Sequence, residues 1–218
     1  MEIQWLGHAC FRITHNGYTV VIDPYDKREA SGYPDLKVKA DMLLVSHEHG
    51  GHNNRKAVIL SGRPESDCPF KISTIETFHD VLHGHRHGEC TIHILEADGY
   101  RIAHTGDLGA LLRGSELEPL YNLDVIMIGA GSYMALPSQD AYDLVNRIKP
   151  RIVIPMHYHD PDKHLCSRRL ERIDDFVKFF PSEDMIHWYD TDTIAVDKNT
   201  EPQVAVLNYL GGRNGDYT

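Results

Sequence analysis

No apolar run in this 218-residue chain approaches the ~20 residues that a membrane-spanning helix needs, so insertion into a bilayer is not expected. The opening segment Met1-Glu2-Ile3-Gln4-Trp5-Leu6-Gly7 lacks the basic start and continuous apolar core of a signal peptide. Positive charge is scarce: Lys and Arg number 22 against 32 Asp and Glu, for a formal charge of -10. An acidic surface repels phosphate backbones. The basic groups, Lys27-Arg28, Lys37 and Lys39 in one loop and Arg168-Arg169 in another segment, are too modest to predict nucleic-acid binding. Cysteine is sparse as well. Cys10, Cys68, Cys90 and Cys166 form no CxxC pair, and a chain of this length can bury a core without disulfide staples. Reduced thiols in a cytoplasmic protein are the expectation.

What remains is ordinary globular composition, with 41% hydrophobic and 25% charged residues. It predicts one domain over residues 1–210 and a flexible tail over 211–218, and it is compatible with a homo-oligomer. Short alternating segments predict strands at Ile3–Leu6, Cys10–Thr14 and Thr19–Ile22, with a hairpin turn at His15-Asn16-Gly17. Further strands are predicted at Met42–Val45, Ile72–Thr77, Thr91–Glu96, Arg101–His104, Val125–Ile128, Ile152–Pro155, Thr191–Val196 and Val204–Leu207. A helix over Ser138–Ile148 places Ala141, Leu144, Val145 and Ile148 on one face, and a second, about Ser167–Phe179, does so with Leu170, Ile173, Phe176 and Val177. Two batches of strands, each followed by a helix, suggest two packed sheets with helices outside.

The chemistry concentrates at strand ends. Ser46-His47-Glu48-His49-Gly50-Gly51-His52 follows the apolar run Met42–Val45 and packs three imidazoles into six residues. In extended chain, residues two apart point the same way, so His47 and His49 can face one cation while His52 is turned elsewhere after Gly50-Gly51. Three more strand ends carry ligand-type side chains: Thr77-Phe78-His79-Asp80, His104-Thr105-Gly106-Asp107 and Ile154-Pro155-Met156-His157-Tyr158-His159.

This ordered set, with Trp5-Leu6-Gly7-His8-Ala9-Cys10-Phe11 at the start and Val21-Ile22-Asp23-Pro24, resembles the metallo-β-lactamase-fold hydrolase superfamily. Within it, the chain is similar to a small branch of metal-dependent hydrolases near the ascorbate-phosphate lactonases. The resemblance implies an α+β fold, a four-layer αββα sandwich of two mixed sheets packed face to face with helices outside. It implies that His47, His49 and His79 hold a first metal, that His52 and His157 hold a second, and that Asp107 bridges them. Imidazole suits Zn²⁺ foremost, and Mn²⁺ or Fe²⁺. One or two ions per chain would activate water against a small, anionic ester, phosphodiester or lactone. Asp107, His157 and His8 are the catalytic candidates. Asp23 resembles an acid that fixes a ligand's tautomer, and Tyr133, His85 and His159 are candidates to line the cleft.

The chain departs from the family pattern at Gly51, where the motif normally carries an aspartate that binds the second metal. A weakly filled second site, a one-metal enzyme, or completion by another side chain are all open. His83, His85 and His87, close to His79, are the suspects for completion. An alternative function is a metal-binding or sensing protein of this fold whose hydrolysis Gly51 has weakened or abolished.

Overall fold

The computed structural model describes residues 1–132 and 134–211. The strands are β1 (Glu2–Gly7), β2 (Cys10–His15), β3 (Tyr18–Ile22), β4 (Val38–Ala40), β5 (Met42–Leu44), β6 (Val58–Leu60) and β7 (Lys71–Phe78). They continue as β8 (Glu89–Ala97), β9 (Tyr100–His104), β10 (Val125–Gly129), β11 (Ile152–Met156), β12 (Ile186–Trp188), β13 (Thr193–Ala195) and β14 (Gln203–Val206). Helix α1 (Ser138–Ile148) precedes β11, and α2 (Ile173–Val177) follows it. One sheet runs β13-β1-β2-β3-β5, a second runs β12-β14-β11-β10-β9-β8-β7, and β4 pairs with β6 in a short ribbon. Both large sheets are mixed. In the first, β1 to β3 are antiparallel and β5 joins parallel to β3; in the second, β9, β10, β11, β14 and β12 run parallel, while β7 and β8 close the edge as a hairpin.

One continuous core lies between the sheets, with Ile3, Phe11, Ile13 and Val20 from the first and Ile92, Ile94, Ile102 and Ile126 from the second all fully buried. At fully buried size, each such side chain contributes roughly 1.5–3 kcal/mol of transfer free energy. Polar ties also cross the interface. His104 Nε2–H donates to the Ala9 carbonyl at 2.8 Å, because its Nδ1 is occupied in accepting from Gly106 N. The β2–β3 turn is the predicted hairpin, with Asn16 and Gly17 both at positive φ (49° and 72°).

The first predicted helix is observed with Ala141, Leu144, Val145 and Ile148 buried. The second is corrected: only Ile173–Val177 is helical. Leu170 instead bridges to Ser132, Arg172 to His159, and the Glu171 carboxylate accepts from Ser138 N at the start of α1. Pro137 precedes that helix and supplies no side-chain cap, so the carboxylate satisfies a free helix N–H and suits the positive helix end. Those tertiary bonds hold 167–172 as a strap across strand ends, turned at Arg168-Arg169 by a bond from Leu170 N–H to the Ser167 carbonyl, overriding its helical period. The four cysteines are free. No helix among the described residues is long and apolar enough to cross a membrane. Most of the expected tail, 212–218, lies outside the described residues.

A histidine-rich centre at the strand ends

Five segments leave their strands at one end of the sandwich and meet there: Asp23 after β3, Ser46 to His52 after β5, His79 after β7, Asp107 after β9 and His157 after β11. The turn between β1 and β2 brings His8 to the same place. The two sheets must approach closely for this. Gly106, at φ 53°, allows it: a Cβ there would lie 2.4 Å from Ser46 Oγ and 2.5 Å from Ser46 Cβ. Three residues of the centre itself hold the left-handed backbone region, His8 at φ 54°, Asp23 at 52° and His157 at 55°. For residues with a β-carbon such φ values are uncommon, and they aim the side chain where regular backbone would not.

Asp107 Oδ2 is the hub. His79 Nε2 lies 3.1 Å from it, His52 Nε2 3.2 Å, His157 Nε2 3.6 Å and His47 Nε2 4.0 Å. The opposite edges of the rings are fixed by partners. The Ser46 hydroxyl donates to Asp23 Oδ2 at 2.5 Å, so its oxygen can only accept from His47 Nδ1–H at 2.9 Å. His79 Nδ1–H donates to the Met134 carbonyl at 2.9 Å, and His52 Nδ1–H to Asp23 Oδ2 at 2.9 Å. The Nε2 lone pairs of His47 and His79 therefore face the hub. Both atoms are buried and form no hydrogen bond.

Two buried acceptors aimed at a carboxylate would be repulsive without a cation between them, so the donor set fits a metal ion. Among the described residues three groups have their ligand atoms within 4.8 Å of one another: His47, His49 and His79; His8, His52 and His157; and Asp23, His47 and His52, in which Asp23 is already engaged by Ser46 and His52. Three nitrogen donors with a shared carboxylate match the ligand types and the open position of a catalytic site.

Electrostatics follow the burial. Burial opposes ionisation of Asp107, but His157 and His52 overcome it and hold the carboxyl well below the usual range. Asp23 is likewise held down, to about 2, because His52 and Ser46 donate to it despite its burial. His52, pushed down by burial, is raised on balance by Asp107 and Asp23. His47 falls to about 3 through burial and then the neighbouring His52. His8 is lowered well below its ordinary 6.5 by burial and by the neighbouring His157 and His52.

The centre floors a cleft of ≈ 580 Å³ lined by His8, Glu29, His49, His52, His87, Asp107, Met134, His157, Arg169 and Leu170, among others. The structure thus brings together His8, Asp23, His47, His49, His52, His79, Asp107 and His157. His85 is not among the lining residues and is exposed. The reason lies in Asp80, whose carboxylate accepts from the backbone N–H groups of Leu82, Gly84, Arg86 and His87. That knot ties the loop so that His87 faces the cleft, its ring centroid 5.4 Å from that of His79, while His83 leans on Phe78. His159 is also elsewhere: its Nδ1–H donates to the Leu165 carbonyl, and it lines a neighbouring cavity of ≈ 320 Å³ beside Trp5 and Trp188. Tyr133 lies outside the described residues.

Sequence reasoning missed Arg169 as a cleft residue, and it named His87 together with His83 and His85 without singling it out as the one that faces the cleft. A helical reading of 167–179 hid the first. For the second the signal was present: Asp80 sits just ahead of a Gly-containing loop, where a short carboxylate often gathers backbone N–H groups.

The fold and its centre define the metallo-β-lactamase superfamily of hydrolases, and the chain belongs to it, since the family described as "Beta-lactamase superfamily domain" matches residues 2–157. A UPF0173 protein of Pyrococcus furiosus is 30% identical over 201 residues, covering 78% of this chain and 93% of the relative. A UPF0173 metal-dependent hydrolase of Archaeoglobus fulgidus is 29% identical over 199 residues, covering 73% and 84%. Among solved structures, a proposed Zn-dependent hydrolase of the superfamily from Thermotoga maritima superposes with a TM-score of 0.69 at 26% identity, over 94% of this chain and 97% of that one. These relatives place the chain with the UPF0173 proteins; the expected ascorbate-phosphate lactonase neighbourhood is not among what they show.

Proposed function

We propose that this chain hydrolyses a small anionic ester, phosphodiester or lactone with water activated at the histidine centre. One observation carries the reading: four imidazole nitrogens converge on Asp107 Oδ2 within 4.0 Å, two of them buried lone pairs without a donor. His47, His49 and His79 would hold one ion, His52 and His157 a second, with Asp107 between them; the nitrogen-rich set favours Zn²⁺ over Mn²⁺ or Fe²⁺. When bound, such ions lower the pKa of a water towards neutrality and polarise the bond it attacks.

The chain's own residues supply the rest. Ser46, Asp23 and the Met134 carbonyl hold His47, His52 and His79 in the tautomer that presents Nε2 to the centre. Arg169 lines the cleft and makes no side-chain hydrogen bond or ion pair to another described residue, which leaves its guanidinium for an anionic substrate. Met134 and Leu170 give the wall an apolar strip that keeps bulk water from the reacting bond. His87 faces the same space and is placed to hand a proton to a departing oxygen.

The test is metal content together with turnover of bis(p-nitrophenyl) phosphate, a p-nitrophenyl carboxylic ester and a γ-lactone by the metal-loaded protein. We expect bound metal and hydrolysis of at least one probe, abolished by chelation and restored by Zn²⁺. Bound metal with no turnover on any probe class would instead support the metal-binding or sensing alternative. A chain that binds no metal would end both readings.

A further inference from the structure

At the position where the family motif carries an aspartate, Gly51 is buried and its φ lies outside the left-handed region, so nothing in the backbone forbids a side chain there. What stands in the way is another residue. A Cβ on Gly51 would point at the His8 ring, 3.1 Å from Cε1, 3.5 Å from Nε2 and 3.9 Å from Nδ1. The volume a motif aspartate would enter is occupied by an imidazole that arrives from residue 8, across the β1–β2 turn. Nothing in the chain's local sequence links the two positions.

His8 is built to stay there. It is 5% exposed, its carbonyl accepts from Trp5 Nε1 at 2.9 Å and from His157 N at 3.2 Å, and its ring meets those of His157 and His52 edge to face with centroids 4.1 and 5.0 Å apart. Its Nδ1 is buried with no hydrogen-bond partner. A buried imidazole whose Nδ1 has no hydrogen-bond partner, and whose ring packs on two candidate ligands, leaves a polar atom that calls for a partner. Its ligand atom lies within 4.8 Å of those of His52 and His157.

We infer that His8 replaces the missing aspartate as the third nitrogen ligand of the second metal position, so that Gly51 and His8 form a compensating pair: a side chain removed from one segment and an imidazole supplied by another. The inference rests on the metal-binding reading above. It differs from the completion expected at His83, His85 and His87, none of which joins the group. It also has a chemical consequence. A neutral imidazole in place of a carboxylate leaves the second position one negative charge short, so a cation held there keeps more of its charge for an anionic substrate.

The experiment is Zn²⁺ per folded chain and competitive Zn²⁺ affinity, with Co²⁺ absorption as a readout of ligand type, for the natural chain, His8→Asn, Gly51→Asp and the double variant His8→Asn/Gly51→Asp. Asparagine tolerates the left-handed backbone at residue 8. Circular dichroism and gel filtration confirm that each variant is folded. The natural chain should bind two ions, and His8→Asn should lose one of them or hold it at least tenfold more weakly, with the Co²⁺ band intensity changed. Restoration of the second ion in the double variant is the decisive positive result, because it shows that the two positions do one job. Should His8→Asn bind two ions with unchanged affinity, the pairing is wrong whatever happens to turnover. The pairing is equally wrong if the double variant stays deficient, or if the natural chain and His8→Asn both bind a single ion equally. A natural chain that binds no metal would instead bring down the metal-binding reading itself.

Discussion

The two halves of the centre share Asp107 but are built differently. The half formed by His47, His49 and His79 draws on two strand ends, two of its rings are tethered by Nδ1 bonds to Ser46 and Met134, and it opens to solvent through the exposed His49. The half formed by His8, His52 and His157 is assembled from three distant segments, all three residues are buried, and only His52 has a side-chain tether, to Asp23. The first half is a short motif read out by regular strand geometry; the second is a tertiary construction, dependent on how the sheets are docked. A local change should damage the first half alone, whereas a change in sheet docking or in a left-handed turn should damage the second.

Substitutions can break or sharpen that contrast. The largest effect belongs to Asp107→Ala, which removes the carboxylate common to both halves. Turnover should fall by more than the ~100-fold that marks the upper range for an outer partner of a metal ligand, and both bound ions should be lost in a metal assay; retention of either would show that the halves are independent. Next is Asp23→Asn, which removes the anion behind His52 but touches no ligand of the first half. We expect Zn²⁺ affinity at one position to drop ~10–100-fold with the other unchanged, measured by competition with a chromogenic chelator. Equal weakening at both positions would erase the distinction drawn above.

Arg169→Ala comes third. Loss of a charged hydrogen bond to substrate is worth ~1.5 kcal/mol, or about tenfold in kcat/KM for an anionic probe. Turnover of a neutral ester should stay the same, and an equal loss on both probes would take Arg169 out of anion recognition.

The smallest effect is at the opposite end of the sandwich. There the β8–β9 turn carries Asp98, which pairs with His15 Nε2 at 2.8 Å and accepts from Asn16. Those two donors hold the Asp98 carboxyl below its ordinary 3.8. Because the folded value is the lower one, this tie is fully present above about pH 4 and is lost as pH falls through the depressed value. Acid unfolding of Asp98→Asn, followed by circular dichroism between pH 5 and 2, should therefore lose part of its steepness while metal content at neutral pH is unaffected. A change in metal content would mean that the two ends of the sandwich communicate.

The difference between the halves also explains what could be read from the chain. Strands whose burial alternates, as β2 does from Phe11 to His15, and the helix Ser138–Ile148 were legible because their periods match their burial. His47, His49, His52, His79, Asp107 and His157 were legible because each lies in a short segment that follows a predicted strand, so local order announces position. The pairing of His8 with Gly51 was not, since it depends on two segments 43 residues apart meeting in space. Nor was the strap 167–172, whose helical pattern yields to the Ser132–Leu170 bridge and the Glu171 bond to Ser138. The outward placement of His85 turns on four backbone N–H groups finding Asp80, a capping event that alternation of histidines does not reveal.

The left-handed turns at His8, Asp23 and His157 reach beyond this geometry. A residue with a β-carbon gives up about 1–2 kcal/mol to stand in such a turn, and glycine or asparagine would stand there at less cost. Three times around one centre, then, the chain keeps a side chain that reaches the centre rather than the one its backbone would choose. Engineering for heat resistance alone would press on these three positions first, so a variant library scored only for survival would be expected to yield sturdier chains with an emptied centre.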